Sequence, residues 1–532
     1  MPAFTRIAAG ATVGLSLVAG SPVAAQRTTL SGNAPRLIVF IAVDQMRADY
    51  FERFLPQLKG GLGRLYRGGA VFTNAYQDHA ITETAPGHSV MLSGRFPSHT
   101  GIVTNSLGVP DAQAPLIGGG GDGASPFRFR GSVLIDWLRM NDPRSRALSV
   151  SRKDRGAILP IGRAHQNAFW YATDGRFTTS TYYADTLPSW VQRFNARKIP
   201  QSYAGQAWTL LLPESAYPEP DSVPFENFQR NFMFPHLFSG DPAQVAASFA
   251  AYPVMDSLTA QMALEGVSAT KLGMGPQTDL LSVSFSTTDA VGHAFGPDSR
   301  ELHDQILRLD RYMGAFIDSL YRMRDSSTIA FALTADHGVQ PNPDIRAERE
   351  HVPALRADVS TPIAAARAAL RAAGATGDPL RFEEGVLLLQ RGSLAGTALK
   401  PDSVLNALAE SLRKVTGVAR VDFVRNLSRA DTTNDFAARR WLHMLPTDFS
   451  ADLVISLAPY AYYAGNIVAT HGTPNDLDAH VPEIFYGPWF VAGKYSQRAL
   501  VADIAPTLAA IAEVTPSEKL DGRVRTEALR KR

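Results

Sequence analysis

The sequence predicts an α/β fold: a central, mostly parallel sheet with helices on both faces, carrying a small α+β insertion. Three observations lead there. Short apolar runs rich in β-branched residues (Leu37 to Val43, Leu280 to Phe285, Thr328 to Leu333 and Leu453 to Leu457) read as parallel strands buried on both faces. Helical stretches alternate with these runs. Asp44, Asp289 and Asp336 stand just after three of them, at the carboxyl ends of strands, where open α/β sheets build their sites.

The chain opens on a secretory pattern. Arg6 supplies a positive charge, Ile7 to Gly20 is apolar, and Val23-Ala24-Ala25 sets small residues before Gln26, so residues 1–25 read as a signal peptide that is removed. The apolar stretch is too short to cross about 30 Å of hydrocarbon comfortably. No later segment is long and apolar enough to do so. The expectation is a periplasmic or secreted protein with no stable membrane anchor after cleavage, its main domain running from 26 to 532. The absence of cysteine removes disulfides, thiolate ligands and a cysteine nucleophile, and does not argue against export at this size. A formal charge of +2 without any basic run excludes a nucleic-acid-coating surface.

Further along, Thr82 to His88 precedes an apolar helix ending at Gly94, with Thr84 placed as its N-cap and Pro86 in the first turn. Gly118 to Pro126 is a Gly-rich loop. Residues 355 to 430 read as a small α+β subdomain. Its parts are a helix opening at Thr361-Pro362 with Thr361 as N-cap, a strand over Gly385 to Gln390, a helix over Ser403 to Val415 and a strand over Val418 to Val424. Residues 499 to 513 read as an amphipathic helix broken at Pro506.

The chemistry is concentrated in carboxylates and imidazoles. Asp289 and His293 are one helical turn apart, Asp336 and His337 are adjacent, Asp44 closes the first strand, and His471 lies in Thr470-His471-Gly472. Oxygen and nitrogen donors without sulfur suit catalytic zinc and also tolerate manganese or magnesium. Each fragment alone is ordinary, since an Asp after a strand is often a helix cap. The combination beside apolar strands favours a metal site, and two metals about 4 Å apart can clamp both oxygens of a phosphoryl transfer. A threonine hydroxyl attacks poorly unless a bound metal lowers its pKa. Read alone, Thr84 is equally a simple cap, and Arg152, Lys153 and Arg155 are a solvated charged loop.

Taken together, these motifs resemble the alkaline phosphatase superfamily, in particular the phosphate-irrepressible alkaline phosphatase branch with a threonine nucleophile. The matching pieces are Val43-Asp44-Gln45-Met46-Arg47, Thr84-Ala85-Pro86-Gly87-His88, Gly101-Ile102-Val103-Thr104-Asn105, Asp289 to His293, and Ala335-Asp336-His337-Gly338. Thr470-His471-Gly472-Thr473-Pro474, Asp478-Ala479-His480-Val481-Pro482 and Asp503 to Leu508 continue the set, which spans nearly the whole mature chain. The resemblance implies that Asp44, Thr84, Asp336 and His337 surround one zinc and that Asp289, His293 and His471 hold the other. It implies Thr84 as nucleophile and Asn105 as a hydrogen-bond donor to a phosphate oxygen. In Ser151-Arg152-Lys153-Asp154-Arg155-Gly156 it resembles the monoesterase signature, with Lys153 and Arg155 reaching the phosphoryl oxygens and Arg152 left on the surface. The expected partners are small-molecule phosphate monoesters.

The alternatives are a phosphodiesterase or nucleotide pyrophosphatase on the same scaffold, and a catalytically silent, metal-bound exported binding protein. A sulfatase is disfavoured because Thr84 and His88 stand where a Cys or Ser and an Arg belong, and a cytoplasmic mutase is disfavoured by the signal peptide. His88 is expected to pack in the nucleophile helix and His480 to order the metal site without ligating it. The remaining histidines, His79, His99, His165, His236, His303, His351 and His443, are expected to be structural or superficial, and Phe169-Trp170 to lie in the core.

Overall fold

Seven consecutive apolar residues, Leu37–Val43, form the middle strand of the large sheet, and all seven are buried. Burial of a Val, Ile or Leu side chain stabilises by roughly 2 kcal/mol, so a run apolar on both faces is driven to the centre of a covered sheet. The structure is a computed structural model and describes residues 34–119, 121–465 and 467–531; the signal-peptide reading lies outside them. Among the described residues the large sheet has ten strands. Its central order is Ile329–Thr334, Leu37–Val43, Asp279–Phe285, Ala147–Ser151 and Asn167–Tyr171, all parallel. His480–Tyr486 joins beside Ile329–Thr334 and runs antiparallel both to it and to Ala70–Tyr76. The expected α/β architecture, mostly parallel, is present.

Leu453–Leu457 is a correction. It forms a strand with the expected bounds, but it pairs antiparallel with Val386–Leu389 and Val418–Phe423 in a separate four-stranded sheet completed by Leu380–Glu383. An apolar run records burial, and burial under the helices Ser360–Ala372 and Pro401–Arg413 looks the same in sequence as burial in the main sheet. The first of these helices begins one residue before Thr361. Asp358 accepts the Thr361 backbone N–H (3.1 Å), so Thr361 does not cap. The last helix, Ile504–Ile511, is buried along nearly its whole length and is not amphipathic. Pro506 sits in its first turn, where a missing N–H costs nothing, and does not break it. Phe169 and Trp170 are in the core as expected.

Asp78 ties the two sheets together. It follows the strand Ala70–Tyr76 and is 3% exposed. Its carboxylate accepts two hydrogen bonds from Arg439 (2.8 and 3.0 Å) and one from Arg498 (2.8 Å), with Arg440 Nε at 3.4 Å. Arg439 and Arg440 lie on the helix Phe436–Met444, whose Trp441 and Met444 pack with Val386 and Val454 of the second sheet. Burial opposes the charge of Asp78, but bonds from His443 and Arg439 and the Arg440 charge outweigh it and hold the carboxyl far below its usual range. Such a carboxylate stabilises the fold above the unfolded pKa of about 4, and the contribution is lost as pH falls through the folded value. Asp78→Asn should therefore cost about 3 kcal/mol at neutral pH by stranding buried guanidinium groups. Thermal unfolding followed against pH checks it: the acid-side loss of stability should be steep in the native chain and shallower in the variant.

Candidate active site

Parallel neighbours in register end at one edge. Val43 lies opposite Phe285, Ala42 opposite Thr334, and Ser151 opposite Ser284. The residues just beyond these ends are Asp44, the helix Thr287–Phe295 bearing Asp289 and His293, Asp336 with His337, and Arg152 with Lys153. The sheet thus collects residues far apart in the chain. Asp44, Asp336 and His337 form one group whose donor atoms all lie within 4.8 Å of one another. The other such group is Asp289, His337 and His471, so that His337 belongs to both; His293 stands beside it, its Nε2 3.3 Å from Asp289 Oδ1 and 3.2 Å from His471 Nε2.

Backbone carbonyls set the three imidazoles. His293 Nδ1 donates to Ala469 O (2.8 Å), His337 Nδ1 to Gly338 O (2.9 Å) and His471 Nδ1 to Thr82 O (2.7 Å). A carbonyl only accepts, so each Nδ1 carries a proton and each Nε2 is the nitrogen turned toward the site. His293 Nε2 and His471 Nε2 face each other at 3.2 Å; burial and the neighbouring imidazoles hold the His471 pKa well below its usual value, whereas at His293 burial is outweighed by Asp289, which raises the pKa. Asp44 Oδ1, Asp336 Oδ2 and His337 Nε2 are buried and have no hydrogen-bond partner. Burial keeps His337 neutral, its pKa lowered to about 4. Burial and the neighbouring Asp336 push Asp44 up to about 7. Orphaned carboxylate oxygens and imidazole lone pairs, fixed through their other nitrogens, form a donor set that fits divalent metal ions.

Lys153 supplies positive charge at the centre. Its Nζ lies 2.7 Å from both Asp44 Oδ2 and Asp289 Oδ2 and donates to Thr84 Oγ1 at 3.1 Å. Arg155 pairs with Asp154 at 3.4 Å and is not drawn onto Thr84, although its charge acts on Glu83. Arg152, expected on the surface, reaches Asp289 Oδ2 at 3.4 Å with its side chain 16% exposed, because its strand ends beside the helix that carries Asp289.

Thr84 is the first residue of the helix Thr84–Met91, and Glu83 takes the cap position. This shifts the expected cap by one. Pro86 has no N–H, and the N–H of Ala85 donates to Asn105 Oδ1 (2.9 Å), so the helix start offers fewer free donors than the sequence implied. Asn105 is brought beside the nucleophile, its own N–H donating to Glu83 Oε2 (2.7 Å). Gly87 lets this helix sit on the strand end, since a Cβ there would lie 2.3 Å from Asp336 O.

Three supporting groups escaped sequence reasoning. Gln45, at φ +64°, donates its backbone N–H to Asp336 Oδ1 (3.0 Å) and its Nε2 to Asp289 Oδ1 (3.3 Å), bridging the two donor groups. His88 does more than pack: Nδ1 donates to Thr84 O (2.9 Å) and lies 3.3 Å from Asp336 Oδ2. Asp478 Oδ2 accepts from Thr473 and from Gln340 (3.1 Å), pinning the loop of His471. The signal for Gln45 was its place after Asp44 in a matched motif. His480, by contrast, donates from Nε2 to Thr73 O (3.0 Å) and stacks on Tyr76, away from the site. Its strand turns alternate side chains to opposite faces, and that of His480 faces the neighbouring strand Ala70–Tyr76.

Comparison with known proteins places the chain. The family described as type I phosphodiesterase / nucleotide pyrophosphatase matches residues 38–464. Alkaline phosphatase PhoV of Synechococcus elongatus is 32% identical, over 93% of each chain. Alkaline phosphatase PafA of Elizabethkingia meningoseptica is 28% identical over 96% of this chain and 98% of its own. The crystal structure of wild-type PafA superposes with a TM-score of 0.87 over 94% of this chain and 100% of that one, at 28% identity. The chain belongs to the type I phosphodiesterase / nucleotide pyrophosphatase family, in the phosphate-irrepressible alkaline phosphatase branch of the alkaline phosphatase superfamily.

Proposed function

We propose that this protein is an exported alkaline phosphatase that uses two zinc ions to hydrolyse phosphate monoesters through a covalent phosphothreonine at Thr84. Its relatives are named alkaline phosphatases, which are phosphoric monoester hydrolases. The observation that carries the reading is the meeting of the Thr84 hydroxyl, the Lys153 ammonium and two groups of oxygen and nitrogen donors, one of which, Asp44, Asp336 and His337, holds orphaned buried atoms. Export rests on the amino-terminal sequence pattern, and no helix among the described residues is long and apolar enough to cross a membrane.

Asp44, Thr84, Asp336 and His337 would hold one ion, and Asp289, His293 and His471 the other. When bound, the ions lower the pKa of the Thr84 hydroxyl and offset charge on the departing oxygen. Thr84 Oγ attacks phosphorus, and the bond to the ester oxygen breaks. Asn105 donates to a non-bridging oxygen, and Lys153 and Arg155 neutralise the transferred group. Water then attacks the phosphothreonine from the face the leaving group vacated, releasing phosphate and restoring the hydroxyl. A monoester dianion carries one more charge on that group than a diester, so fixed cations favour it.

The kcat/KM on p-nitrophenyl phosphate should far exceed that on bis-p-nitrophenyl phosphate, vanish on chelation and return with zinc. A diester preference would move the chain to the phosphodiesterase reading, and no turnover to the silent binder. Lys153→Ala and Arg155→Ala should each lower monoester kcat/KM by about 10²-fold or more, with a much smaller loss on diesters; equal losses would remove these residues as the discriminator. A chiral phosphate ester should react with net retention at phosphorus, and inversion would exclude the covalent intermediate.

A further inference from the structure

Glu83 has no part in that scheme, yet it immediately precedes Thr84 and is 8% exposed. Its Oε2 accepts the backbone N–H of Asn105 at 2.7 Å. On the other side of Thr84, the backbone N–H of Ala85 donates to Asn105 Oδ1 at 2.9 Å. The two neighbours of the nucleophile therefore grip Asn105 by different handles, one by its main chain and one by its side-chain oxygen. With Oδ1 taken by a donor, the amide NH₂ is the end left to face a phosphoryl oxygen. A flipped amide would set NH₂ against the Ala85 N–H, donor to donor. The next residue is held from outside, where Ser106 Oγ donates to Glu383 Oε1 on the second sheet. That strand, Leu380–Glu383, turns back through Glu384 and Gly385, both left-handed at φ +44° and +80°. The loop bearing Asn105 is thus fixed from the nucleophile helix and from the second sheet.

We propose that Glu83 is a positioning residue for Asn105: its carboxylate fixes the main chain from which the Asn105 amide reaches the transferred phosphoryl group, so that the two residues act as a unit. This rests on the role given above to Asn105, donation to a non-bridging phosphate oxygen. A role through charge alone, or through Thr84, would leave Asn105 out of the coupling, and that difference can be measured.

The test uses the full zinc-loaded chain. Glu83→Ala, Glu83→Gln, Glu83→Asp, Asn105→Ala and the double variant Glu83→Ala/Asn105→Ala are compared by kcat/KM on p-nitrophenyl phosphate. Calorimetric affinity for inorganic phosphate and the unfolding temperature are measured alongside. Glu83→Ala should lower both kcat/KM and phosphate affinity by about 10-fold or more, the scale of a lost hydrogen bond to a charged group. Glu83→Gln keeps an acceptor at full reach and should recover most of the loss. Glu83→Asp keeps the charge but withdraws it by one methylene and should recover little. In the Asn105→Ala background the Glu83→Ala change should cost less than about twofold, since coupled residues are not additive. An equal loss in both backgrounds, or Asp rescuing better than Gln, overturns the proposal while leaving Asn105 its role. Full activity in Asn105→Ala overturns that role and this inference with it. If Glu83→Ala does not fold, the order of Gln over Asp decides alone.

Discussion

Orphaned donor atoms facing one another in the interior are the constraint on which the rest of the structure depends. Carboxylate oxygens of Asp44 and Asp336 and the Nε2 lone pair of His337 are buried together with no partner, and His293 and His471 turn their Nε2 atoms toward each other. In a low-dielectric interior each of these is costly and each repels its neighbours. Such an arrangement persists only where the surroundings over-determine it. Backbone carbonyls do so for the imidazoles, and Gln45 and His88 do so for the carboxylates. The neutral imidazoles of His337 and His471 and the central Lys153 limit the repulsion without relieving it.

The sheet makes this over-determination possible. Four adjacent parallel strands end together, so the residues after them are fixed by the hydrogen-bond ladder and not by flexible loops. The close seat of the nucleophile helix on Asp336, through Gly87, carries the same rigidity to Thr84. Rigid placement matters because misplacing a reacting group by about 1 Å can cost 10²-fold in rate. The second sheet adds a wall whose hairpin meets the Asn105 loop, and Asp78 with its arginines locks that wall to the main body.

Much of the candidate site was readable because its chemistry is local. Asp289 and His293 share a helix face by spacing, and Asp44 and Asp336 follow runs whose burial is written in their composition. Other roles could not be read locally. Arg152 looked like one more exposed cation until its strand was placed beside the helix of Asp289. His480 sat within a matched motif, yet its side chain belongs to another strand pair. Thr84 missed the cap by one residue, because caps are set by backbone angles that neighbouring side chains do not fix.

The sequence by itself determined the α/β class, the buried runs, the donor types and the motifs that place the chain in its family. Each of these depends on residue type and short spacing. Only the tertiary structure decided that Leu453–Leu457 joins the second sheet, that Gln45 bridges the two donor groups and that Glu83 holds Asn105. The physical reason is common to all three. A strand's partner and a polar side chain's partner are long-range contacts, chosen by how the whole core packs and by which buried groups remain to be satisfied.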